Sequence, residues 1–260
     1  MDEKYTNHAV FKDLGTYGQF YEDISDRTID FTTDGLQHPF SMETYAFTSI
    51  SGTLHSVKDT LYKGRIGDAY ALLRKYYESI LLTTYITLYI KDNHNIDNMV
   101  VKEVDDWVSG AKEFPKKAKV KEYINRSEWL SKVNNFFDDA VYKQISDRCN
   151  SYMHFNRFRF MLFNDNKVHI EDRHKMLDQF EVDARNLFIR HFTFVVELNY
   201  HFFTTNDYVD YLEMDETPPE NCQYWVATNV QEIFDGVIRK YRKDIATYIK
   251  EDSPLIFDLD

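Results

Sequence analysis

The sequence predicts an all-α protein, a helical bundle of about five to six helices with room for one small β-hairpin near residues 158–170. Three observations carry this. Gly 8 and Pro 5 in 260 residues are well under the ordinary usage of about 7% and 5%, so turns are scarce. Long segments repeat apolar residues at the helical period, and runs that alternate at the strand period are few. At 260 residues and 43% hydrophobic content the chain fits one large domain with a substantial core, and its 19 Tyr and 20 Phe supply much of the apolar area.

Residues 1–40 hold Gly15, Gly18, Gly35 and Pro39 without a sustained period, which predicts an irregular N-terminal arm ahead of a helical domain over 41–260. A helix follows from Ser41 to about Tyr62, with Gly64 as its stop. Asp68 opens a stronger one, in which Ala69, Leu72, Leu73, Tyr76 and Ile80 share a face. Residues 99–113 form a shorter amphipathic segment that ends before Pro115 and the lysine-rich KKAKVK. Trp129, Val133, Phe137, Ala140, Val141 and Ile145 mark a helix running into RCNSYMHFN. FRFMLF at 158–163, the turn-like NDN and KVHI at 167–170 suggest the hairpin. Residues 171–205 make the longest helix, and 221–250 a final amphipathic one beyond an acidic connection.

Several function classes drop out. Cys149 and Cys222 cannot build a disulfide framework or a zinc site. No apolar stretch reaches about 18 residues, which predicts a cytoplasmic protein with no membrane contact. A net charge of −12 disfavours sequence-independent coating of nucleic acid or anionic lipid. Phosphate loops, nucleophile elbows and metal-spaced ligand sets are absent, so neither a metal nor another cofactor is expected. The cluster His169, Glu171, Asp172 and His174 has ligand-type side chains at irregular spacing and reads as a helix start. Glu197 and His201 read as a structural i, i+4 pair.

The informative stretch runs from Arg148 to Arg159. Three arginines (Arg148, Arg157, Arg159), His154, Asn150 and Asn156 occur there with no carboxylate, a local reversal of sign in an acidic chain. A guanidinium fork suits a phosphate, and an imidazole can move a proton near neutral pH. The competing explanation is structural: Arg148 interacting with the carbonyls that end a helix, and His154 packed in the core.

Arg148 and His154, separated by five residues at a helix end within an all-helical chain, form a pattern that resembles the HEPN superfamily of nucleases. Ala71, Leu72, Leu73, Arg74 and Glu78 match a second motif found in many members, Ala-x-Leu-Leu-Arg-x-x-x-Glu, and the likeness spans about residues 45–205. The family usually places Asn or Asp directly after the arginine; here Cys149 stands there and Asn150 follows. The resemblance implies metal-independent cleavage of an RNA substrate by a homodimer, with motif helices of two copies lining one cleft. His154 would be the acid/base group, Arg148 the phosphate ligand, and Asn150, Arg157 and Arg159 substrate contacts. Arg74 and Glu78 would form a structural ion pair beside the cleft. Family members commonly act as toxins or in antiviral defence, which implies an antitoxin or defence-system partner. A different class stays open, a non-catalytic helical dimerisation or binding module, as does a small-molecule regulator with a ligand between helices.

Overall fold

The computed structural model describes residues 2–30, 42–95, 100–165, 172–204, 211, 214–217 and 226–257. Helices dominate these residues and no β-strand forms among them; Thr204 and Val226 make an isolated antiparallel bridge. In chain order the helices are α1 (Glu3–Thr6), α2 (Ala9–Asp30), α3 (Met42–Tyr62), α4 (Ile66–Asn93), α5 (Lys102–Val108), α6 (Lys117–Arg126), α7 (Ser131–Asn134), α8 (Asp139–Met153), α9 (Phe158–Leu162) and α10 (Arg173–Asn199). After a 3₁₀ turn at Tyr200–Phe203 come α11 (Thr228–Ile233), which continues into a π-helical turn at Phe234–Arg239, and α12 (Lys243–Asp252). Helical segments outnumber the five to six expected because two predicted helices divide and because α1, α2 and α9 form where an arm and a hairpin were expected. The one foreseen from Trp129 onward breaks between Asn134 and Asp139 into α7 and α8.

The irregular arm expected over residues 1–40 is corrected: Ala9–Asp30 is a 22-residue helix whose Val10, Leu14, Tyr17, Tyr21 and Ile24 are buried. Its glycines are packing positions rather than breaks. A Cβ on Gly18 would lie 3.1 Å from His55 Nε2, and one on Gly15 would lie 3.2 Å from Lys58 Nζ. These two residues, i and i+3 on one face, let α3 lie close along α2, at a cost of about 1 kcal/mol each in helix propensity. Residues 31–41 lie outside the described ones.

α3 ends where the sequence suggested. Gly64 adopts φ +80°, and the amides of Gly64 and Arg65 donate to Leu61 O and Thr60 O at 2.7 and 3.1 Å. This left-handed cap satisfies the last carbonyls and turns the chain directly into α4. α4 is the hub, packing against α3, α6, α8 and α10. Its buried stripe, including Ala69, Tyr70, Leu73, Tyr76, Tyr77 and Ile80, explains why the sequence there is apolar nearly all round.

The hairpin near 158–170 is corrected as well. FRFML folds as the short helix α9, and its proposed second strand lies outside the described residues. Period-two alternation over six residues is compatible with a single helical turn, and the backbone that follows is used elsewhere. Phe163 O accepts from Ile66 N at 3.1 Å. Asn164 Oδ1 accepts from Asp68 N at 3.1 Å, capping a helix whose own Arg65 offers no side-chain cap. Arg173 donates to Gly64 O at 2.9 Å and to Asp165 O. These bonds join the 162–165 segment to the start of α4.

Aromatic rings fill the centre. Tyr17 stacks on Phe188 at 4.1 Å between centroids, and Phe20 meets Phe188 edge-on at 5.2 Å. Within this layer His191 Nδ1 lies 2.7 Å from Tyr21 Oη, which lies 3.0 Å from Tyr76 Oη. Burial holds His191 down, from 6.5 to about 3, so the imidazole is neutral.

Candidate functional site

α8 begins with an Asp138 cap, whose side chain accepts from Ala140 N at 2.8 Å, and buries Tyr142, Ile145, Cys149 and Tyr152. That stripe seats the helix on α4, where Tyr152 stacks on Tyr70 at 4.4 Å. Cys149, the residue that departs from the family pattern, is fully buried. Burial pushes its thiol up to about 12, so it stays protonated and lines the helix contact rather than the surface.

His154 is the C-cap of α8 and is exposed, which removes the explanation that it packs in the core. Its amide donates to Asn150 O at 3.0 Å, and its imidazole has no hydrogen bond or ion pair among the described residues. The next residue, Phe155, takes φ +46°. Phe155 N donates to Tyr152 O at 3.2 Å and Asn156 N to Ser151 O at 3.1 Å, the paired bonds of a Schellman cap with Phe in the glycine position. The cap redirects the chain to Arg157, the exposed N-cap of α9. Phe155 and Phe158 stay 44% and 72% exposed beside it.

Arg148 points elsewhere. Six residues at helical pitch place its side chain about 120° around α8 from His154, with about 9 Å of rise between them. Its Nε and Nη2 donate to Asp183 Oδ2 and Oδ1 at 2.7 and 2.5 Å. Asp183, on α10, is fully buried and also accepts from Gln179 at 3.0 Å and Tyr70 Oη at 3.4 Å. Burial lowers Arg148, but the hydrogen bond and charge of Asp183 outweigh it and leave the guanidinium raised; burial raises the Asp183 carboxyl, and the fork opposes that rise.

The two sequence motifs do meet. Arg74 Nε donates to Glu78 Oε1 at 2.9 Å and Arg74 Nη1 donates to Asn150 Oδ1 at 2.8 Å, tying α4 to α8. Lys117 Nζ adds a 3.4 Å contact to Glu78. Asn150 therefore serves Arg74 rather than the His154 ring. Arg159 pairs with Asp172 and lies 5.4 Å over Phe163, whereas the Arg157 side chain has no partner among the described residues. Of the other sequence candidates, His174 lies 3.3 Å from Asp2, Glu197 accepts from Tyr248 Oη at 2.9 Å, and His169 and Glu171 lie outside the described residues.

Sequence reasoning missed Asp183. Its signal was a carboxylate on the apolar stripe of α10, three residues after Phe180 and four before Leu187, where an unpaired charge would be too costly to keep. No cluster of His, Cys, Asp and Glu able to hold a metal ion occurs among the described residues, and no helix among them is long and apolar enough to cross a membrane. No protein-family model, curated protein or solved structure matches the chain.

Proposed function

We propose that the chain is a metal-independent endoribonuclease of HEPN type, acting as a homodimer in a toxin or antiviral-defence setting with a cognate antitoxin or system partner. The observation that supports it most is the exposed imidazole of His154, three residues from the guanidinium of Arg157, both without a side-chain partner among the described residues. The 2′-hydroxyl gives its proton to His154 and attacks phosphorus, the bond to the 5′-oxygen breaks as that oxygen takes a proton from the imidazolium so formed, and a 2′,3′-cyclic phosphate remains. Arg157, without a partner among the described residues, is the cation that steers the strand's phosphates to the site. Arg148, held by Asp183 and turned away from its own His154, contributes its remaining Nη1 toward the site of a second copy.

Purified protein should cleave RNA in EDTA and sediment as a dimer. His154→Ala should abolish cleavage with folding and RNA affinity retained, and Arg157→Ala should raise KM and flatten the salt dependence. Wild-type protein that leaves RNA intact, or a fully active His154→Ala, would overturn the reading. The Arg148–Asp183 fork and the exposed Phe155, Phe158 and Met161 favour the second reading, a non-catalytic module that docks a partner through this apolar rim. It predicts dimerisation without cleavage.

A further inference from the structure

α2 faces α11 and its π-helical turn across a cavity of about 620 Å³, within the size of small-molecule sites, about 300–1,000 Å³. Ala9, Asp13, Thr16 and Phe20 recur along one face of α2, and Glu232, Gly236 and Lys240 along the opposite wall. The walls run antiparallel: Asn229 Nδ2 donates to Asp23 Oδ2 at 2.8 Å at one end, and the charge of Lys240 reaches Asp13 at the other. Ten residues of helix, about 15 Å, separate the two aspartates, so the cavity is elongated. Its floor is apolar, made by the buried Phe20, Ile233 and Val237.

The Asp23 end is closed on itself. Gln19 and Asn229 give their amides to Asp23, and Arg27 donates to Asn229 Oδ1 at 3.2 Å. Along the rest of the cavity stand Lys12 and Asp13 from α2, and Glu232 and Lys240 from the opposite wall. None of these four side chains has a hydrogen bond or ion pair among the described residues; Lys240 lies only against the Tyr241 ring, 4.8 Å from its centroid. The neighbouring Arg185 is engaged, by Glu181 at 2.8 Å and by the Tyr241 ring at 3.9 Å. Burial, then the charge of Glu181, raises the Asp13 carboxyl, and Arg185, Lys240 and Lys12 oppose the rise. A carboxyl partly desolvated on a cavity wall without a donor favours a ligand that brings one. Gly236 leaves further room: a Cβ built on it would meet nothing within 4 Å, and it lies in the π turn at Phe234–Arg239, an irregularity frequent at functional sites.

We propose that this cavity binds a zwitterion with an apolar body, a free amino acid or a short peptide. The balance of unpaired charge, one cation and one anion on each wall, decides against simpler ligands. An anion would meet Asp13 and Glu232, and a cation would meet Lys12 and Lys240. A molecule that carries both groups satisfies both signs, its carboxylate going to the lysines and its ammonium to the acids, while Phe20, Ile233 and Val237 receive its side chain. None of the lining residues belongs to α8 or α9, so the site stands whether or not the chain cleaves RNA.

Thermal melting and calorimetry of the full chain with the common L-amino acids, and with apolar dipeptides such as leucyl-leucine, test this. At least one compound should bind and raise Tm; a response to amino acids alone assigns the free amino acid, and a response to dipeptides alone assigns the peptide. The N-acetyl and amide derivatives of the compound that binds, each lacking one charge, should bind about tenfold or more weakly. Asp13→Asn and Lys240→Met should each weaken binding by a similar factor. Gly236→Leu, which grows a side chain into the gap without a clash, should abolish binding while keeping or raising the ligand-free Tm, because leucine is the better helix former. No response to any of these compounds at millimolar concentration, equal binding of the one-charge derivatives, or binding that survives Gly236→Leu would overturn the proposal.

Discussion

Removing the Arg148 guanidinium would leave the Asp183 carboxylate sealed in the core with only Gln179 and Tyr70 as donors. Arg148→Met should therefore destabilise the fold by about 3 kcal/mol, at the low end for a broken buried pair because Arg148 itself keeps 30% exposure. Arg148→Met combined with Asp183→Leu should recover most of that loss in urea denaturation. Loss of activity in an Arg148 variant thus needs a stability measurement beside it. His191 gives the clearest pH dependence. Its folded value of about 3 lies below the 6.5 of an exposed imidazole, so the unfolded chain binds more protons between those values. Stability is full above 6.5 and falls as the pH drops through this window, at a slope of about 1.4 kcal/mol per pH unit. Glu43, raised by burial, works with the opposite sign. The His191 share is therefore read as the difference between wild type and His191→Gln, whose stability should be flatter in acid.

At the scale of elements, the turn after α8 carries the one strained position near the site. Phe155 in a left-handed conformation costs about 1–2 kcal/mol relative to glycine, and its half-exposed ring recovers part of this by packing. Phe155→Gly should raise Tm in a melting scan and loosen the presentation of His154, and a lowered Tm would mean the ring packs more than its exposure indicates. Elements with uninterrupted period were legible in the sequence: α3 with its Gly64 stop, α4 and α10, and α8 apart from the break that sets α7 off before it. α2 was not, because Gly15 and Gly18 look alike whether they break a helix or admit a neighbour, and only the position of His55 and Lys58 decides. α9 was misread because Phe158, Phe160 and Leu162 alternate like a strand over too short a span to separate the two periods.

For the molecule as a whole, the sequence showed the local half of the candidate site and hid the long-range half. Arg148, Asn150, His154 and Arg157 fall within ten residues and stand out by charge alone. Their partners, Asp183 for Arg148 and Arg74 for Asn150, sit 35 and 76 residues away, where only folding brings them close. Because α4 touches α3, α6, α8 and α10 together, it cannot open until several contacts are lost. Its amides should thus be the last to exchange with solvent deuterium, at the rate set by global unfolding, while those of α9 and the 154–157 turn exchange first. The rigid hub is tied to the readily opened rim by short polar links, Arg74 to Asn150 at one end and Asn164 to the amide of Asp68 at the other, and whatever docks at His154 meets the part of the protein that costs least to rearrange.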